Sequence, residues 1–114
     1  MADFRRYICL AYGMDSVETR LCSGLALIDY IMAFEVASEW LNPASPNRLG
    51  LTLNFALFYR EVLGRNQHAC HLAKFGFDEA VRFISVHSEH DVPENTFSVL
   101  SILKRHLISW AARP

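Results

Sequence analysis

Asn54 and Glu61 are polar side chains set into a segment that is otherwise apolar on most of its surface, Asn47-Arg-Leu-Gly-Leu-Thr-Leu-Asn-Phe-Ala-Leu-Phe-Tyr-Arg-Glu61. At 3.6 residues per turn, Gly50, Leu53, Asn54, Leu57 and Glu61 share one helix face, and Leu51, Phe55, Phe58 and Val62 form a second, wholly apolar face. A helix that is apolar on most sides is a buried one. Its polar groups must then find partners inside or line a wet groove. The remaining chemistry-bearing residues are histidines and cysteines. His68, Cys70 and His71 lie close together, and His87-Ser-Glu-His90 resembles half of a zinc motif. No second ligand pair stands at a recognised distance, so no metal site is expected. Cys70 and His71 are neighbours on a helix and point ~100° apart, which is poor geometry for a nucleophile and its base. No catalytic residue, cofactor or enzymatic activity is expected.

Helices joined by short connectors must position these groups. Residues 2–12 read as a short opening helix that stops at Gly13. Asp15-Ser16-Val17-Glu18 offers a start resembling a capping box for a long helix running to about Leu41. Its apolar spacing at Leu21, Leu25, Ile28, Met32 and Val36 is expected to form the buried face, widened by Phe34 and Trp40. Asn42-Pro-Ala-Ser-Pro46 breaks this helix, with Ser45 as N-cap and Pro46 in the first turn of the next. Gly64-Arg-Asn66 makes the following turn. A helix over about 67–85 is expected to bury Cys70, Leu72, Ala73, Phe77, Ala80, Val81 and Ile84, and a last helix runs from about Glu94 to Ala111. The expected fold is all-α: about five antiparallel helices in one domain over 1–114, with hairpins like those of a TPR array.

The bulk properties limit the partners. The chain has 114 residues and a net charge of −1, with 52% apolar and 20% charged residues. A chain of this size buries roughly 65% of its unfolded surface. Near-neutrality gives no general attraction to nucleic acid or to an anionic membrane, so neither partner is expected and any anion recognition must be local. The longest uncharged run, Leu49 to Tyr59, is far short of the ~20 residues of a membrane span. Cys9, Cys22 and Cys70 are odd in number and widely spaced, which suits a reduced, cytoplasmic protein.

Several motifs resemble the 14-3-3 family, in that family's order and spacing. Asp3-Phe-Arg-Arg-Tyr7 is similar to D-Y-Y-R-Y of the family's fifth helix, and Ala33-Phe-Glu-Val36 to A-F-E-I of the sixth. Residues 48–61 resemble R-L-G-L-x-L-N-F-x-V-F-Y-x-E of the seventh. Ala69-Cys-x-Leu-Ala-Lys-x-x-Phe-Asp-Glu-Ala80 resembles A-C-x-L-A-K-x-A-F-D-E-A of the eighth. Leu103-Lys-x-x-Leu-x-x-Trp110 is a looser counterpart of L-L-R-D-N-L-x-L-W in the ninth. The resemblance implies an adaptor that holds phosphoserine or phosphothreonine segments of other proteins, extended in an amphipathic groove. It implies Arg6 and Tyr7 as phosphate ligands and Asn54 as a partner of the peptide backbone. Leu53, Leu57 and Ile102 would form the apolar wall, with Trp110 at its rim and Glu61 on the polar side. Guanidinium matches phosphate oxygens with two parallel bonds, and an Asn amide both donates to and accepts from an extended backbone.

The departures from the pattern carry their own expectations. His106 stands where the family has a second groove Asn, Leu57 replaces Val, and Ser109 replaces a groove Leu. Met1 falls inside the fifth helix, so the expected counterpart is helices five to nine without the Lys and Arg that complete the phosphate pocket. Two charge-assisted contacts at ~1.5–3 kcal/mol each correspond to roughly 10²- to 10⁴-fold in affinity. The apolar wall around Leu53, Leu57 and Ile102 is expected to drive self-association, or pairing with a full-length 14-3-3 protein.

Overall fold

The computed structural model describes residues 17–87 and 91–112, and among these it contains four helices and no strand. They are α1 (Val17–Trp40), α2 (Pro46–Glu61), α3 (Asn66–Val86) and α4 (Glu94–Ala112). The helix expected over 2–12, and the expected capping residues Asp15 and Ser16, lie outside the described residues. The other boundaries fall within a residue or two of those read from the sequence.

Local chemistry accounts for the connectors. Asn42 Oδ1 accepts from the Ala44 N–H at 2.9 Å, which folds the Pro43 turn back on itself. Ser45 is extended (φ −62°, ψ 126°) and its hydroxyl faces the Arg48 N–H at a long 3.5 Å, with Pro46 opening the helix behind it. Gly64 has φ +65°, a conformation in which a side chain is strained, and it reverses the chain between α2 and α3. The buried Thr96 hydroxyl donates to the Ala44 carbonyl, so the start of α4 is tied to the α1–α2 connector.

α2 is the central helix and feeds two cores. On one side Leu49 and Ala56 join Ala69, Ala73 and Ala80 of α3 and Leu100, Leu103 and Trp110 of α4. The α3 contribution is a ridge of small residues: Ala69, Ala73, Gly76 and Ala80 follow helical spacing and let α3 lie close to α2. On the other side Phe55, Phe58 and Val62 meet Ala26 and Tyr30 of α1. Tyr30 stacks on Phe55 with centroids 5.2 Å apart and planes 6° from parallel, and its centroid is 5.0 Å from that of Phe58.

That second core corrects the expected orientation of α1. Leu21, Leu25, Ile28, Met32, Val36 and Trp40 are exposed, by 50% to 78%, whereas Ser23, Ala26, Tyr30 and Ala37 are buried and Phe34 is half-buried. The reason is that α1 is apolar on nearly every side, so spacing cannot decide which side docks. Small residues at 23, 26 and 37 let the backbones approach, and the Tyr30 ring fits the aromatic face of α2. Val81, expected in the core of α3, is also exposed, while Ala73 and Ala80 are buried and Cys70, Leu72, Phe77 and Ile84 are half-buried.

Candidate functional site

Packing leaves one face of α2 half open, and it is the face that carries the polar stripe. Gly50, Leu53, Asn54 and Leu57 are half-buried and Glu61 is exposed, between buried Leu49 and Ala56 on one side and buried Phe55, Phe58 and Val62 on the other. Leu53 and Leu57 pack against the core shared with α3 and α4, so their positions are fixed by that core. Asn54 sits between them in sequence, and it is engaged by contacts of its own.

α4 lies beside α2 and presents Ile102 and His106, both half-buried. Ile102, Arg105, His106 and Ser109 line a hollow of about 320 Å³. They recur at i, i+3, i+4 and i+7, a single helix face. Trp110 is only 5% exposed and belongs to the core, one turn beyond His106, with ring centroids 5.3 Å apart. With so little surface it is not a free rim. The Arg60 guanidinium covers it, 5.3 Å from the ring centroid. Arg60, Cys70, His71 and Trp110 line a second hollow of about 320 Å³ where α2, α3 and α4 meet. The structure thus gathers His106, Trp110, Leu53 and Leu57 around one core. Glu61 stands apart on solvent, and Arg6 and Tyr7 lie outside the described residues.

Two cations were not anticipated. Arg60 occupies an unspecified position of the Y-x-E motif, and its role depends on where the end of α4 lands. Arg105 carries a readable signal, since it falls three residues after Ile102 and four before Ser109 on the same face. It also stands where the ninth-helix pattern has Asp.

The histidines find local occupations. His68 stacks on Tyr59 at 5.5 Å, and His87 lies on Phe83 at 3.9 Å. A ring nitrogen of His87 is 2.8 Å from the Phe83 carbonyl; since a carbonyl only accepts, Nδ1 carries the proton, and the ring helps close α3. Among the described residues, no three His, Cys, Asp or Glu side chains gather as a metal would require. Cys22 and Cys70 are half-buried.

The comparisons agree with this architecture. The family model described as 14-3-3 protein matches residues 1–111, and the chain belongs to the 14-3-3 family. It is 37% identical over 111 residues to the 14-3-3 protein beta/alpha of Xenopus tropicalis, covering 96% of this chain and 44% of that protein. It is 34% identical over 110 residues to the 14-3-3-like protein of Fucus vesiculosus, covering 96% of this chain and 43% of that protein. The human 14-3-3 protein beta/alpha is 33% identical over 110 residues, with 96% and 44% covered. The chain spans less than half the length of these relatives.

Proposed function

We propose that this chain is a cytoplasmic adaptor that binds phosphoserine or phosphothreonine segments of other proteins along the α2–α4 face. The observation that supports the reading is the half-open face of α2, where half-buried Leu53, Asn54 and Leu57 adjoin a core completed by Trp110 of α4, one turn from His106. That is the chemistry an extended peptide requires: apolar contact for alternate side chains and an amide for the backbone between them. In this reading Arg6 and Tyr7 hold the phosphoryl group and Glu61 borders the polar side. His106 takes the role of the family's second groove Asn, offering one donor and one acceptor on a rigid ring. A phosphoryl group brings about −1.5 to −2 charges, which a guanidinium such as that of Arg6 partly balances.

Fluorescence titration with a matched pair of phosphorylated and plain peptides tests the assignment. Arg6→Ala should abolish the preference for the phosphorylated peptide. Asn54→Ala should weaken both peptides by a similar factor, because it serves the backbone. Unchanged discrimination after the Arg6 substitution would refute the phosphate role.

A second reading is a helical interaction module without phosphopeptide recognition. The exposed apolar side of α1 favours it, because a surface of that kind associates whether or not the groove is occupied.

A further inference from the structure

The hollow on α4 has reversed its charge relative to the family's ninth-helix pattern. It is lined by Ile102, Arg105, His106 and Ser109, where that pattern has Leu, Asp, Asn and Leu. At position 105 a carboxylate has given way to a guanidinium. One turn further on, a Leu that would fill the hollow has shrunk to Ser109, which leaves room beside the guanidinium and adds a hydroxyl. Arg105 and Ser109 are exposed, and Ile102 and His106 are half-buried. Beyond Glu94 at its start, α4 carries no acidic residue. Two ion pairs lie on α3, Lys74 with Asp78 and Arg82 with Glu79, and Arg105 takes part in neither.

We infer that Arg105 sets a charge preference for the bound segment: it pairs with a carboxylate side chain, so the segments this chain takes carry Asp or Glu near the phosphoresidue. The inference rests on the phosphopeptide reading above and narrows it from phosphorylated segments in general to acidic ones. A guanidinium offers a carboxylate two parallel N–H donors, and the Ser109 hydroxyl stands one turn away as a further donor. His106, next to Arg105, ties the hollow to the rest of the site. Its ring centroid is 5.3 Å from that of Trp110, which shares a core with Leu53 and Leu57 of α2. Arg60 of α2 covers the same Trp110 ring, so both helices bring a cation to this end, while Glu61 is the acidic residue that the α2 motif retains.

Two plainer roles for Arg105 fit less well. A cation can favour a helix by meeting the negative end of its macrodipole, but that effect is confined to the last turn. Arg105 stands about two turns before the end of α4 at Ala112. A cation can also serve only to keep a helix face in water. Lys104 is such a residue, exposed and outside the hollow, whereas Arg105 lines it together with a half-buried aliphatic side chain and an imidazole.

Fluorescence titration of the whole chain with a peptide set tests the inference. One phosphoserine core carries Asp, Ala or Lys in turn at each position within about five residues of the phosphoserine, roughly 17 Å of extended segment. The same peptides without phosphate run alongside. At one position Asp is expected to bind about three- to tenfold tighter than Lys, the scale of one exposed ion pair gained and one like-charge contact removed. Added salt should shrink the difference. Arg105→Asp should reverse the preference, and Arg105→Lys should keep part of it. Lys104→Asp makes the same change in net charge ~100° around the helix and should leave the preference in place. Circular dichroism follows helicity, which these exposed substitutions should preserve. Phosphorylated peptides bound with one affinity whatever their flanking charge overturn the inference and leave the phosphopeptide reading standing. So does a preference that survives Arg105→Asp, or one that Lys104→Asp reverses equally. Plain peptides bound as tightly as phosphorylated ones contradict the phosphopeptide reading itself, and the inference falls with it.

Discussion

Phe58 has no exposed surface, and its ring sits between Tyr30 and Tyr59, with centroids 5.0 and 6.4 Å away. Truncation to Ala leaves a cavity that two helices must collapse around, at a cost of ~3–5 kcal/mol. A domain of this size holds only ~5–15 kcal/mol in all. Phe58→Ala is therefore expected to give a poorly folded chain by thermal denaturation, and a melting temperature close to wild type would show that the ring is not structural. At this same scale Asn54 and Phe58 differ in kind. Phe58 secures the α1–α2 core, whereas Asn54 stands on the half-open face and is expected to tolerate Ala with loss of peptide affinity alone. Both positions, Phe58 buried and Asn54 half-buried, were legible in the sequence, because α2 alternates a polar-bearing face with a wholly apolar one. The covering of Trp110 by Arg60 was not. That contact joins the last turns of two helices fifty residues apart, and no local pattern encodes where those ends meet.

Between elements, the close approach of α2 and α3 rests on Gly76. A Cβ built there would lie 2.7 Å from Thr52 Cγ2, and Thr52 has little room to yield. It is 2% exposed, and its hydroxyl donates to the Arg48 carbonyl at 3.0 Å. Gly76→Ala gains ~1 kcal/mol of helix propensity but incurs ~1–3 kcal/mol of overpacking. Urea denaturation should show a net loss of stability, recovered when Thr52→Ser removes the clashing methyl. A stabilised single variant would mean that the helices part freely. The small-residue ridge of α3 was partly visible, since Ala69, Ala73 and Ala80 fall at helical spacing. Val81 was misplaced because its neighbours on the helix are also apolar. α1 shows the limit of periodicity most clearly. Apolar residues cover nearly its whole circumference, so the strongest stripe in the sequence is the exposed one. The docking side was chosen by the fit of Tyr30 to two rings on another helix, which is tertiary information.

The whole molecule is a slab, 49 × 32 × 18 Å, with a radius of gyration of 14.7 Å against ~13 Å for a spherical domain of this length. A shape so flat has two broad sides to offer. α1 rests chiefly on α2 and leaves an apolar side exposed, while α2 keeps a half-buried face that carries Leu53, Asn54 and Leu57. Chemical-shift mapping of the nitrogen-labelled chain, titrated with a phosphorylated peptide and then with its plain counterpart, tests the central claim most directly. The account predicts shifts at Leu53, Asn54, Leu57, Ile102 and His106 with the phosphorylated peptide, much weaker shifts with the plain one, and an undisturbed outer side of α1. Equal responses to the two peptides, or shifts confined to Leu25, Ile28 and Met32, would contradict it.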